Sequence, residues 1–335
     1  MAPPPCPSRA PARDTLTRGP AWSLNSPPVT EIAPPPAAGT TTRSSTVLVA
    51  AGWNDYALLD SGNGAKLERY GRVTVVRPEE QAMWRPRLPL ARWDAADAVF
   101  TGSTDEEGAG RWRMARPLPE AWELGYGSAR FLCRFTSFRH LGIFPEQRSH
   151  WDDMALAIRG AGRPIRLLNL FGYTGLASLL AADAGAEVTH VDASKKSVAW
   201  ARENQALSGM GGLPIRWIID DAMKYAAREV RRGSRYDAVV LDPPRFGRGP
   251  AGEVWQLFEH LPEMLSLVRQ LLTPEPLAVV TTVYAIRASH LAIDRLVQQE
   301  LGDLGGRFET GELALAEEGS DRLLPTSLFS RWSAA

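Results

Sequence analysis

Tyr236-Asp237-Ala238-Val239-Val240-Leu241-Asp242-Pro243-Pro244-Arg245-Phe246-Gly247 decides how this 335-residue chain is read. The apolar, β-branched run that ends at Leu241 predicts a buried strand. Proline has no N–H to give to a ladder, and it forces the residue before it into an extended conformation. The chain therefore leaves the strand stiffly and holds Asp242 in one place. A carboxylate with an aromatic close behind it, on such an exit, suits a planar substrate that carries an amino group.

The surroundings of that strand alternate. Strands are predicted at Ile165–Leu170, Glu187–Asp192, Ile215–Ile219, Tyr236–Leu241 and Leu277–Val283. Helical stretches fall at Leu176–Asp183, Ser194–Leu207, Ala222–Arg232, Val254–Leu272 and Ser289–Leu301. Alternation of this kind means an α/β fold, a mostly parallel sheet with helices on both faces and right-handed connections. Arg307–Ala316 and Ser327–Trp332 read as two last strands, an antiparallel hairpin at the sheet edge that makes seven strands in all.

Upstream the pattern is different. Residues 1–45 are rich in Pro, Ala, Ser and Thr and predict a disordered tail or an overlong gene start; with Arg but few acids, a transit peptide is the other reading. Residues 46–140 read as a β-rich N-terminal domain, with Tyr56–Asp60 running into the turn Ser61-Gly62-Asn63-Gly64 and Val73–Val76 stopped by Pro78. Trp84, Trp93, Trp112 and Trp122 either form its core or stack on bases. Residues 141–335 form the α/β domain.

Composition limits the options. Lys plus Arg and Asp plus Glu both number 38, so the formal net charge is zero, and nucleic acid is not held by bulk charge alone. A local basic patch from Arg130, Arg134, Arg139, Arg148, Arg245 and Arg248 remains open. Cys6 and Cys133 are far apart, so neither a disulfide framework nor a zinc cluster is expected, and a reducing, cytoplasmic compartment is the default. No metal site and no membrane span are expected.

The chemistry gathers at the strand ends. The first strand runs into Asn169-Leu170-Phe171-Gly172-Tyr173-Thr174-Gly175, where glycines let the backbone turn and approach a ligand closely. A dinucleotide fold wants G-x-G-x-x-G. Here the pattern is G-x-x-G flanked by bulky rings, which favours a smaller nucleoside ligand. The second strand ends in Asp192, placed to take both ribose hydroxyls of an adenosine, and Ser194 follows as a helix N-cap. The third ends in Asp220-Asp221-Ala222; Asp221 either accepts from an adenine amino group or caps the next helix. The fourth ends in Asp242.

Gly-turn, Asp, Asp and Asp-Pro-Pro in that order resemble the class I S-adenosylmethionine-dependent methyltransferases. Within them, the chain resembles the bacterial 23S rRNA large-subunit methyltransferases I and K/L from about 140 to 300. Gly142-Ile143-Phe144-Pro145-Glu146-Gln147-Arg148 matches the segment that precedes the catalytic fold there. The Tyr56–Gly71 block resembles the β-rich N-terminal domain of a less characterised branch, not the RNA-binding PUA domain of methyltransferase I. The resemblance implies a Rossmann-like domain with S-adenosylmethionine as cofactor. It implies that Phe171, Gly172, Tyr173 and Thr174 line the methionine end, with Asn169 at the head of the loop among the cofactor-binding residues. Asp192 with Ser194 would serve the ribose, Asp221 with Ala222 the adenine, and Gln147 the amino-acid moiety.

Carbon-5 of a pyrimidine is a poor nucleophile and needs a thiolate to attack the ring first. Family members that methylate carbon-5 carry that cysteine just after the fifth strand, where this chain has Thr281-Thr282-Val283-Tyr284. Cys133 sits in an apolar run. A base nitrogen in RNA, with rRNA the leading substrate, is therefore the expected target. Asp242 takes a hydrogen from the amino group, Pro243 and Pro244 stiffen the exit, and Phe246 stacks on the base although Arg245 intervenes. A small-molecule or protein methyltransferase is the alternative; an NAD-dependent oxidoreductase and a non-catalytic RNA-binding module are rivals of other classes.

Overall fold

The computed structural model describes residues 42–102, 110–284, 286 and 288–334; the Pro-rich stretch before residue 42 and Cys6 lie outside them. The first strand, β1 (Thr42–Ala50), is followed by β2 (Tyr56–Gly62), β3 (Ala65–Tyr70), β4 (Val73–Pro78), β5 (Ala98–Gly102) and β6 (Gly110–Met114). β2 to β6 form one sheet in sequence order, with a short helix α1 (Leu90–Asp94) between β4 and β5. The expected turn joins β2 to β3, with Asn63 at φ 52°. A hairpin of β7 (Ala121–Tyr126) and β8 (Ala129–Arg134) leads into the α/β part.

There α2 (Arg148–Gly160) precedes β9 (Ile165–Leu170), α3 (Leu176–Asp183), β10 (Ala186–Asp192), α4 (Lys195–Leu207), β11 (Ile215–Ile219), α5 (Ala222–Arg231) and β12 (Ala238–Leu241). A small hairpin, β13 (Phe246–Arg248) and β14 (Val254–Gln256), comes next. Then follow α6 (Leu257–Leu271), β15 (Ala278–Tyr284), α7 (His290–Leu301), β16 (Arg307–Ala316) and β17 (Leu323–Ser333). The large sheet has eight strands in the order β1-β16-β17-β15-β12-β9-β10-β11. From β9 the order runs one way through β10 and β11 and the other way through β12 and β15. Ligands of open α/β sheets bind at that switch, outside the carboxyl ends of the strands.

Three expectations need correction. The sheet carries an eighth strand: Thr42–Ala50, divided above between a tail and the β-rich domain, pairs in parallel with β16 along its whole length. The β16–β17 hairpin is antiparallel as expected, but it lies inside the sheet and β1 takes the edge. Residues 254–256 are a strand rather than the first turn of a helix, because they pair with Phe246–Arg248.

Leu168, Leu170, Val239, Leu241, Val279 and Val283 are fully buried against α5, α6 and α7 on one face. Leu167, Val188 and Ala238 face α2 and α3 on the other. Each such aliphatic side chain contributes about 1.5–3 kcal/mol on leaving water. The β-rich sheet shares a core with the α/β part, in which Tyr56, Tyr70, Leu124 and Phe131 meet Trp151, Leu176 and Leu179. Inside it Glu68, fully buried, accepts two 2.7 Å bonds from the Arg77 guanidinium. Burial alone would raise the Glu68 carboxyl; Arg77 and Lys66 hold it below its ordinary value. A buried charge without such partners would be strongly destabilising.

Candidate active site

Leu170 lies opposite Val191 on one side and Leu241 on the other, and Leu241 lies opposite Thr281. Phe171, Asp192, Asp242 and Thr282 therefore stand at one level of the sheet, the first three where their strands end and Thr282 still inside β15. The loop between β9 and α3 turns with Phe171 at φ 58°, Tyr173 at φ 50° and Gly175 at φ 84°. Left-handed backbone at two bulky residues is sterically costly and clusters at functional sites. Gly172 is required for a different reason: a Cβ there would lie 2.4 Å from His190 Cε1.

Beneath the loop, Asn169 Nδ2 donates to Ser178 Oγ at 2.9 Å, and that hydroxyl lies 3.0 Å from His190 Nδ1. Burial pushes the His190 imidazole down to about 3, so it is neutral. Asp192 accepts from the Tyr173 N–H and the Ser194 N–H, both at 2.8 Å, which ties the loop to the second strand end. Burial raises the Asp192 carboxyl and the two N–H donors oppose the rise. Ser194 caps α4 by accepting from Ser197 N. Thr174 Oγ1 donates to the Gly142 carbonyl at 2.6 Å, anchoring the loop to the segment before α2.

One cleft is lined by Gln147, Asn169, Phe171, Gly172, Tyr173, Thr174 and Asp242, together with Phe144, His150 and Val240. Seven of the anticipated residues thus meet. Asp192, Ser194, Asp221, Ala222, Pro243, Pro244 and Phe246 are not among its lining residues. Asp221 caps α5 through Oδ1, accepting from Lys224 N at 2.9 Å, and Ala222 is the buried first residue of that helix. Asp220 pairs with Arg228. Phe246 is half-buried in β13, with the Arg248 guanidinium 5.9 Å from its ring centre.

Gln147 was expected at the donor's amino-acid end; in the structure its Nε2 donates to Asp242 Oδ2 at 2.8 Å, and Thr282 Oγ1 donates to its Oε1 at 3.4 Å. The sequence reading missed Trp255. It is buried, donates its indole N–H to the Pro244 carbonyl at 2.7 Å and packs on the Phe171 ring at 4.9 Å. It therefore braces the Asp-Pro-Pro exit against the loop. Pro250 and Gly252 just before it were the available signal for a hairpin there. Tyr284 and Phe144 were missed as well: their rings lie 6.1 Å apart, and Phe144 also meets Tyr173 at 5.5 Å.

The anticipated basic patch is largely spent on internal pairs. Arg130 pairs with Glu123, Arg134 with Glu203 across the Trp200 ring, and Arg148 with Asp152 and Tyr126. Arg139 is buried beside Tyr284. Arg245 and Arg248 are exposed. Trp84, Trp93, Trp112 and Trp122 are half-buried, and their N–H groups donate to Ser61, Asp60, Phe138 and Tyr70; these contacts are internal to the fold. Cys133 is fully buried and its thiol is pushed up by desolvation.

Residues 76–285 match the family described as S-adenosylmethionine-dependent methyltransferases. The chain belongs to this family. A solved S-adenosylmethionine-dependent methyltransferase from Agrobacterium tumefaciens is 52% identical, with a TM-score of 0.85 over 89% of this chain and 97% of that one. Ribosomal RNA large subunit methyltransferase K/L of Desulfotalea psychrophila is 29% identical over 56% of this chain. The protein of that name from Vibrio cholerae is 26% identical over 67% of it. This methyltransferase spans only 25% and 31% of the lengths of those two relatives. The cleft fits the donor: it opens at the sheet's switch point, its floor is a glycine turn, and a carboxylate stands at the second strand end. The Asp192 oxygens each accept one backbone bond, and a carboxylate oxygen has room for a second donor such as a ribose hydroxyl.

Proposed function

We propose that this methyltransferase modifies a nitrogen of a base in RNA, with ribosomal RNA the first candidate, and that residues 141–335 carry the chemistry while the β-rich residues 46–140 complete the fold around it. The carrying observation is the Asp242 carboxylate at the mouth of the donor cleft, held by Gln147 on a Pro-Pro exit that Trp255 braces. When bound, S-adenosylmethionine supplies a sulfonium methyl group to a nucleophile held in line with it.

This chain's residues then have separate tasks. The 169–175 loop and Asp192 hold the donor, Asp221 and Ala222 stand at the adenine side, and Asp242 accepts a hydrogen bond from the acceptor's amino group. That bond aims the nitrogen lone pair at the methyl and gives the departing proton a base. The N–CH3 bond forms as the sulfonium C–S bond breaks. The thiol route is disfavoured because neither β15, which ends in Thr281–Tyr284, nor the chain after it carries a cysteine, and because Cys133 is buried. The names of the K/L relatives support the RNA substrate, and a cytoplasmic enzyme accords with it.

The test is transfer of tritiated methyl from S-adenosylmethionine to separate fractions of unmodified ribosomal RNA, protein and small metabolites. Label in RNA that digests to an N-methylated base supports the reading; label only in another fraction, or a 5-methylpyrimidine, overturns it.

A further inference from the structure

We propose that Gln147 is a positioning residue for Asp242, with Thr282 fixing Gln147 in turn, rather than a ligand of the donor's amino-acid end. The inference rests on the reading of Asp242 given above and extends it to residues that never touch the acceptor.

The hydrogen bonds have one consistent direction. An ionised carboxylate only accepts, so the Gln147 amide must present its NH2 to Asp242 and its oxygen to the other side. On that other side the Thr282 hydroxyl donates to the oxygen. A carboxylate next to a rotatable bond has a broad, soft torsion; a 2.8 Å bond from a fixed amide narrows it to one plane. Gln147 itself has little freedom. It is 9% exposed and closes a turn that Pro145 starts, with its N–H donating to the Phe144 carbonyl at 3.1 Å. Gly142, at the head of the segment, is pinned because a Cβ there would meet the Trp200 ring at 2.4 Å. Thr282 is 1% exposed on the central strand β15 and lies opposite Phe329. The carboxylate that aims the acceptor is thus held by groups from two distant segments, both rigid.

Thr282 also stands in the run where the family resemblance puts the cysteine of a thiol route. Thr282 belongs to the Thr281–Tyr284 run at the carboxyl end of β15. In this chain that strand end holds the Asp242 support, not a nucleophile.

The experiment is a double-mutant cycle on the full chain. Its readouts are the S-adenosylmethionine Kd by calorimetry and methyl transfer at saturating donor to unmodified ribosomal RNA. Gln147→Leu keeps the volume and removes the amide. It should leave the donor Kd within about twofold and lower kcat on the order of 10²-fold, the scale of a misplaced reacting group. In an Asp242→Asn background the same change should cost almost nothing more, because residues that act as one unit are not additive. Thr282→Val should lower kcat about 2- to 10-fold, the worth of one neutral hydrogen bond, and Thr282→Ser should restore it. Fully additive losses for Gln147 and Asp242 would overturn the proposal. So would a Gln147→Leu protein that loses donor affinity but keeps kcat, which would return Gln147 to the donor. An Asp242→Asn protein with full turnover, or no transfer to RNA at all, would overturn the underlying reading and this inference with it.

Discussion

The two halves of the cleft are built by different means. The donor half is nearly contiguous: Asn169 to Gly175 supply a backbone turn, and Asp192 on the neighbouring strand fastens it through the Tyr173 N–H. The acceptor half is assembled from side chains far apart in sequence. Gln147 and Asp242 are separated by 95 residues, and Gln147 and Thr282 by 135. Pro244 is braced by Trp255 of the β13–β14 hairpin that follows it. A half made of one turn tolerates change elsewhere, whereas a half made of long-range side-chain bonds can be retargeted by few substitutions. On the function proposed above, the donor side is the common machinery and the acceptor side is where specificity is set.

That contrast can be broken by substitution. Asp192→Ala removes the loop's fastening and the carboxylate offered to the ribose. Donor affinity should fall on the order of 10²-fold, the range of charge-assisted hydrogen bonds, while kcat at saturating donor changes little; calorimetry and steady-state rates check it. Loss of kcat with donor affinity intact would erase the division between the halves.

Gly172→Ala tests the floor of the donor half. The new methyl would sit 2.4 Å from the His190 ring, so the loop or the ring must move. Overpacking of this kind costs about 1–3 kcal/mol, and chemical denaturation should show a loss of that size with weaker donor binding. An unchanged midpoint would mean the ring yields freely.

The neutral His190 makes the same half acid-sensitive. Its folded pKa is pushed down to about 3 from 6.5, so below pH 6.5 the unfolded chain binds the proton and the folded one does not. Stability is then fully present above 6.5 and falls as pH drops towards 3, by about 1.4 kcal/mol per unit for this group. His150, also pushed down to about 3, acts with the same sign. Asp192 and Glu146, whose carboxyls are raised, act with the opposite sign. The clean observable is therefore the difference between wild type and His190→Gln. Thermal unfolding from pH 7 to 4.5 should show a shallower loss in the variant; parallel curves would contradict the neutral imidazole.

The smallest expected effect is that of Trp255→Phe. Packing on Phe171 is largely kept and only the N–H to the Pro244 carbonyl is lost. About 1 kcal/mol of stability should go, with a few-fold fall in kcat and an unchanged donor Kd. An intact kcat would take the brace out of the acceptor half.

The same division explains what the sequence disclosed. Buried strands announce themselves by apolar runs, and a functional residue at a strand's end inherits its place from the run, so Phe171, Asp192 and Asp242 were legible. Asp221 could be read two ways, and its cap on α5 is the one visible in the hydrogen bonds. The place of Gln147 in the cleft was legible but not its bond to Asp242, because nothing local records a contact across 95 residues. Trp255 was hidden because the apolar residues of β14 run straight into α6. β1 was missed for the opposite reason. Thr42 to Ser45 are polar and exposed, so only the Thr46–Ala50 half carries an apolar, alternating pattern, and pairing with β16 places the whole strand.

The claim that the two halves are separable is tested most directly by titrating S-adenosylmethionine into the Asp242→Ala protein by calorimetry. The account predicts wild-type affinity in a protein that no longer transfers the methyl group. Loss of donor binding in that variant would contradict it, since Asp242 would then belong to the donor half and the acceptor would be aimed by something else.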